Sequence, residues 1–267
     1  MADALGDRMK EYEQVPSLKL PKRLPIIIRI DGRAFHTVTR NFQKPFDKLF
    51  VQTMQQTALA LCEQVSDCRF AYTESDEISL LVYPKNLISA EPFFDNKIQK
   101  ICSITASIAT MAFYKNFVKN FNEWKDETKE FDGDKLAQAY QTVVDKGINF
   151  DARCFVLPLN EVVNYFIWRQ QDATKNSIQM VARTLYSHKE LQGKGFSQLN
   201  ELLFAKGVNF DQLPTVWKRG TGIFKVPTPI IVEGHTEPLI RNKWYIDNEM
   251  PIITEHREYI TQHMENE

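Results

Sequence analysis

Two stretches decide how this chain folds: PIIIRIDGRAFH at residues 25–36 and RFAYTESDEISLLVY at residues 69–83. In the first, the β-branched run from Ile26 to Ile30 ends on Asp31 and Gly32, a strand that delivers a carboxylate at its end. In the second, two apolar arms flank Thr73-Glu74-Ser75-Asp76-Glu77, the pattern of a hairpin with an acidic tip. Hard oxygen ligands on rigid neighbouring strands can hold two Mg²⁺ ions roughly 4 Å apart, clamping the attacking and leaving oxygens of a phosphoryl transfer. Acidic turns also close ordinary hairpins, and Asp-Gly closes ordinary turns. Either motif alone favours that plainer explanation. The two together, about a helix length apart, favour a metal site built on Asp31 and Asp76.

Working outward, Phe46, Leu49, Phe50, Thr53, Met54, Thr57, Ala58 and Leu61 recur at three- and four-residue steps, which predicts a helix of about five turns. A second helix is expected from about Asp95 to Phe121, with Ile98, Ile101, Cys102, Thr105, Ile108, Ala109, Ala112 and Phe113 on its inner face. The charged stretch that follows holds a short helix around residues 134–145, and residues 149–158 read as a fourth strand. The order is β-α-β-β-α-β, the α+β ferredoxin-like unit of an antiparallel sheet with helices on one face. In that topology the first and third strands are central neighbours, which brings Asp31 towards Asp76. The expected organisation is a lead-in over 1–24, a palm-like catalytic core over 25–158, and a mainly helical region over 159–267 packed on it. That last region includes a Gly-rich basic hairpin at 218–226.

Bulk properties permit this chemistry without demanding it. The 267 residues are 43% hydrophobic and 25% charged, with a formal net charge of −1, so a polyanion would need a local basic patch. Cys62, Cys68, Cys102 and Cys154 form no CxxC pair and read as apolar residues of a reducing compartment. No secretory core opens the chain and no apolar run spans a bilayer, so a cytoplasmic protein without a membrane partner is expected. The five histidines make no HExxH or Cys/His cluster, no serine sits in GxSxG, and Gly193-Lys194-Gly195 is a turn rather than a phosphate loop. Arg33, Lys44 and Lys100 are candidates to meet nucleotide phosphates. Gly32, lacking a side chain, lets its backbone approach a metal or phosphate. Glu74 reads as a solvated turn charge.

IRIDGRAFH at 28–36, NFQKPFD at 41–47, AYTESDEIS at 71–79, NFDARCFVLP at 149–158, YFIWRQQD at 165–172 and KRGTGIF at 218–224 resemble the tRNA-histidine guanylyltransferase family. The resemblance runs in consistent order over about residues 25–225. It implies a Mg²⁺-dependent 3′-to-5′ polymerase that uses ATP and GTP or other nucleoside triphosphates to extend tRNA 5′ ends, working as a homo-oligomer, a tetramer. It implies that Asp31, the Gly32 backbone and Asp76 hold the metals, with Glu77 beside them as a third catalytic carboxylate. Ser75, Lys44 and Lys100 match positions near the nucleotide or its phosphates, and Arg33, Phe35 and His36 lie in the matching nucleotide-binding segment. Arg169, Asn176, Lys218 and Arg219 are expected on the RNA side. After RQxD, eukaryotic members carry His-Ile-Asn-Asn-Leu-Tyr-Asn, whereas Ala173 to Met180 here keeps only Asn176 in register. That departure is similar to the guanylyltransferase-like branch, which repairs truncated tRNA 5′ ends by templated addition.

Two other functions share parts of this pattern. A diguanylate-type cyclase has a palm and an acidic hairpin, but lacks a place for the C-terminal half and carries a double glycine absent here. A non-catalytic RNA-binding module on such a sheet expects exposed aromatics in central strands, where residues 78–83 are ISLLVY.

Overall fold

The computed structural model describes residues 4–128, 135–231 and 238–265. The palm strands are β1 (Ile26–Gly32), β2 (Cys68–Glu74), β3 (Glu77–Val82) and β4 (Phe150–Val156). They pair antiparallel in the order β4-β1-β3-β2, the ferredoxin-like arrangement. The sheet does not stop there: β5 (Thr221–Ile230) joins the outer edge of β2, and β6 (Leu239–Asp247) joins β5.

The helices are α1 (Ala4–Gln14), α2 (Phe35–Val38), α3 (Lys48–Gln64), α4 (Ile98–Glu127), α5 (Lys135–Lys146), α6 (Val162–Arg183), α7 (His188–Leu191), α8 (Phe196–Ala205), α9 (Thr215–Arg219) and α10 (Glu258–Thr261). α3 starts where Asp47 accepts the Phe50 N–H at 2.9 Å, an N-cap that satisfies one of the helix's orphan donors. The Tyr140 hydroxyl and the Gln43 N–H also donate to that carboxylate, at 2.7 and 2.9 Å, tying the segment before α3 to α5. α3 and α4 cover one face of the sheet. Their buried stripes meet Ile26, Ile28 and Ile30 in a core crowded with aromatics: Phe35, Phe42, Phe50, Phe113, Phe117 and Tyr140. Each fully buried side chain of this size contributes about 1.5–3 kcal/mol.

Period-two alternation sends Ile27, Arg29 and Asp31 to the opposite face. That face is covered as well. Val162, Val163, Tyr165 and Phe166 of α6 pack on Ile27, Phe70, Tyr72, Leu81 and Tyr83, joined by Met250, Ile253 and Ile260. Farther along α6, Ile178, Val181 and Ala182 make a satellite core with Leu199 and Leu203 of α8 and with Phe210.

Two expectations change. The lead-in contains α1, a helix with no buried residue. Residues 218–226 are not a hairpin in themselves: Lys218 and Arg219 close α9, and β5 finds its partner a full connection later. Gly220 makes the corner at φ +78°, and a Cβ there would lie 2.6 Å from the Thr73 carbonyl oxygen. Only glycine fits both constraints.

Candidate functional site

The β2–β3 connection has two residues, Ser75 and Asp76, between paired Glu74 and Glu77. Ser75 takes φ +51°, a left-handed conformation uncommon for a serine, and its hydroxyl donates to the Asp76 carboxylate at 3.1 Å. The Gly32 N–H donates to the Asp76 carbonyl at 3.1 Å. The carboxylates of Asp31 and Asp76 are close enough that Asp31's charge raises Asp76's pKa, a lesser cause than burial, which dominates. Asp31 and Asp76 therefore converge as the topology requires.

Asp31 stands directly opposite Glu77 on β3 and Asp151 on β4, so three carboxylates cross the sheet in one row. Arginines separate their charges. Glu77 is clasped by Arg29 at 2.6 Å and Arg169 at 3.3 Å, and Arg169 also holds Asp172 at 2.5 Å. Burial pushes Glu77's carboxyl up, against the pull of Arg169 and Arg29. Burial also opposes the charge on Arg169, but Glu77 and Asp172 together raise its pKa. Arg153, half exposed, lies 3.8 Å from Asp31 and 3.2 Å from Asp151. Glu74 is not a solvated turn charge. Burial, reinforced by repulsion from Glu77, pushes its pKa up to about 8.

Beyond Ser75 opens a cavity lined by Lys44, Phe46, Asp47, Glu74, Ser177 and Trp217, among others. Phe46 lies ahead of α3 rather than on it, and its ring stacks on Trp217 with centroids 5.0 Å apart. The Ser177 hydroxyl is buried and has no hydrogen-bond partner among the described residues. The exposed Lys44 ammonium donates to the Thr39 carbonyl at 2.8 Å. Arg33 and His36 are exposed at the β1–α2 corner, on the same end of the sheet.

Several expected residues do other work. Phe35 is 3% exposed, packed against Phe50, Phe113 and Phe150, and its ring cannot meet a nucleotide. It also explains Gly32, since a Cβ there would fall 2.3 Å from the Phe35 ring. Lys100 is not brought to the cluster within this chain. It lies near the start of α4 in a shallow pocket with Ser17, Leu18 and Lys97, and two residues on Cys102 meets Cys154, well down β4 from Asp151. Lys218 is buried with its ammonium donating to the Asp211 carbonyl, and Arg169 is spent on Glu77 and Asp172, so neither presents a charge to RNA. Asn176 is exposed and Arg219 partly so. Sequence reading missed Arg29, Arg153, Trp217 and Ser177. Arg29 had a signal, a lone charge amid isoleucines, because a charged residue there must find a partner.

The donor set fits a small divalent cation. Two carboxylates and the backbone oxygen of Gly32 are hard ligands, too few to enclose an ion alone, as suits Mg²⁺, which keeps several waters. Glu77, held by two arginines, supports this set from behind. Among the described residues no group of three or more His, Cys, Asp or Glu side chains forms a closed metal cage, and no helix is long and apolar enough to cross a membrane.

Residues 6–158 match the family profile described as tRNAHis guanylyltransferase. A relative described as a probable tRNA(His) guanylyltransferase from Dictyostelium discoideum is 29% identical over 241 residues, covering 85% of this chain and 84% of the relative. Among solved structures, a bacterial tRNA(His) guanylyltransferase-like protein in complex with ATP is 37% identical, with a TM-score of 0.79 over 98% of this chain and 99% of that one. A bacterial guanylyltransferase-like protein in complex with GTP is 35% identical, with a TM-score of 0.73 over the same shares. With palm, paired aspartates and profile in agreement, the cyclase and passive RNA-binding alternatives fall away. The chain belongs to the tRNAHis guanylyltransferase family of nucleotidyltransferases.

Proposed function

We propose that this chain adds nucleotides to the 5′ end of tRNA in the 3′-to-5′ direction, repairing truncated ends against the opposite strand. The observation that carries this reading is the Asp31–Asp76 pair next to the cavity behind Ser75, a carboxylate pair beside a recess lined by Phe46, Ser177 and Trp217. Asp31, Asp76 and the Gly32 carbonyl would hold Mg²⁺, which when bound lowers the pKa of an attacking hydroxyl and offsets charge on the leaving group. ATP first activates a 5′-monophosphate as its adenylate with release of pyrophosphate, and the 3′-hydroxyl of the incoming nucleotide then attacks that phosphate and displaces AMP. Ser75 and Lys44, at the mouth of the recess, orient the triphosphate, and Arg33 and His36 flank it. The recess takes the purine, with the Phe46–Trp217 pair as an apolar wall and the Ser177 hydroxyl as a polar contact. Arg153 meets the RNA 5′ phosphate beside Asp31. The solved relatives bound to ATP and GTP support these triphosphates as substrates.

The repair assignment rests on α6. In the stretch that departs from the histidine-tRNA pattern, the Thr174 hydroxyl is 3.0 Å from both the Gln170 and Lys218 carbonyls, while Ala173, Ser177 and Ile178 are buried. These positions face the fold, and the exposed Lys175, Asn176 and Gln179 do not reproduce the His-Ile-Asn-Asn-Leu-Tyr-Asn pattern of the histidine-tRNA enzymes. Base choice then falls to pairing with the opposite strand. The test supplies 5′-truncated tRNAs of differing anticodon and template base with ATP, Mg²⁺ and four nucleotides. Addition that follows the template across anticodons is expected. Addition of G whatever the template would overturn the repair assignment. The homo-oligomer implied by the family resemblance belongs to this reading and is measured by light scattering.

A further inference from the structure

Trp168 is a large aromatic on α6 that leaves 52% of its surface in solvent. Scattered exposed aromatics are ordinary, but this one is held in place. The Arg169 guanidinium lies 4.0 Å from its ring centroid, and the Tyr165 ring meets it edge-on at 5.9 Å and 69°. Both neighbours are themselves fixed: Arg169 by Glu77 and Asp172, and Tyr165 by a 2.7 Å hydrogen bond between its hydroxyl and that of Ser79. The indole is thus pinned on the α6 side of the sheet, the side that carries Asp31. One arginine separates it from Glu77, which stands directly opposite Asp31. That places an immobilised stacking surface on the face of the sheet that carries Asp31, linked to it through Arg169 and Glu77.

We propose that Trp168 is the platform on which the 5′-terminal base of the RNA substrate stacks, holding the 5′ phosphate against Asp31 and Asp76. This rests on the reading of the chain as an RNA 5′-end polymerase. Every base has a π face, so stacking on an aromatic ring is tolerant of sequence. A tolerant grip is what templated addition needs, because the terminal base changes with each substrate while pairing chooses its identity. Arg169 polarises the ring and, buried beneath it, spares the stack the entropy of ordering a loose side chain.

The test is a cycle between the ring and the base. Steady-state kinetics are measured for the unmodified enzyme, Trp168→Ala and Trp168→Phe. Each is given a truncated tRNA with a normal or an abasic 5′-terminal nucleotide. Trp168→Ala is expected to raise the KM for RNA by about 5- to 150-fold with the KM for GTP unchanged, and Trp168→Phe to recover most of the loss. The abasic end is expected to cost the unmodified enzyme a similar factor and to cost Trp168→Ala nothing more. If the two penalties multiply, or if the abasic end costs the unmodified enzyme nothing, the stacking role is wrong. A loss in Trp168→Ala that falls equally on GTP and RNA would instead mark a structural role through Arg169, and also overturns it. Failure of the unmodified enzyme to extend any tRNA would overturn the functional reading itself, a result distinct from either of these.

Discussion

The backbone N–H of Gly32 donates to the carbonyl of Asp76 across 3.1 Å, so the end of β1 and the tip of the β2–β3 turn move as one piece. The two aspartate side chains inherit that rigidity. Catalytic groups gain most when their geometry is set before substrate arrives.

Asp31→Asn and Asp76→Asn should each abolish nucleotide addition without loss of fold. Burial and the charge of Asp31 already raise the pKa of Asp76, so removing its charge relieves strain rather than opening a cavity. Product formation falls to background while the melting temperature holds or rises. Undiminished Mg²⁺-dependent activity in either variant would remove that residue from the metal site.

Arg169→Ala should be costly to the fold itself. Its side chain is 4% exposed and that of its partner Glu77 15%, so truncation leaves a poorly solvated carboxylate with Arg29 alone. Losing one member of such a pair costs about 3–5 kcal/mol. Urea unfolding should show this, and adding Glu77→Gln to Arg169→Ala should recover part of it. A loss below about 1 kcal/mol would mean that the pair is effectively solvated.

Ser177→Ala separates ligand binding from stability. The hydroxyl is buried without a partner among the described residues, so deleting it should leave the melting temperature unchanged or raise it. If the recess takes the nucleotide, the same change should weaken GTP or ATP binding by about 2- to 10-fold, one neutral hydrogen bond. Calorimetric titration with each nucleotide reads this directly, and unchanged affinity for both would place the base elsewhere.

His263 should make stability depend on pH. Its ring lies 5.2 Å from Phe70 and 4.9 Å from Phe224, and burial, aided by the charge of Arg69, lowers its pKa to about 4. In the unfolded chain the ring titrates near 6.5. Between these values the unfolded chain holds a proton that the folded chain does not. Stability therefore falls as pH drops from about 6.5 to about 4, by up to about 3 kcal/mol, and this contribution levels off below. His263→Phe should flatten that part of the profile, and a profile identical to that of the unmodified chain would show that the ring is protonated in the fold.

The palm was legible because its elements announce themselves locally. The isoleucine run of β1, the 3.6-residue stripe of α3 and the acidic hairpin tip each need only their own neighbours to be read. Asp31 and Asp76 followed from topology. What sequence hid was direction and partner. Phe35 sits in a motif between exposed residues yet turns inward, because Gly32 leaves room for its ring. Arg169 and Lys218 look like charges waiting for RNA, but Arg169 is consumed by Glu77, 92 residues away in sequence, and Lys218 by the nearby Asp211 carbonyl. The pairing of β5 with β2 joins residues some 150 apart, beyond the reach of any periodicity. Trp168 gave no sign of its neighbourhood, since a tryptophan on a helix reads as core.

The double covering of the sheet bears on how this protein can be cut. The segment that matches the family profile ends at residue 158, before α6 begins. A chain stopped there would keep every metal-facing aspartate and the whole α3–α4 layer. It would also bare Ile27, Phe70, Tyr72, Leu81 and Tyr83 to water and strip Glu77 of Arg169. The profile-matching segment is therefore not a transplantable cassette. Anyone grafting this chemistry onto another scaffold must carry α6 with it, or supply a substitute roof for the sheet.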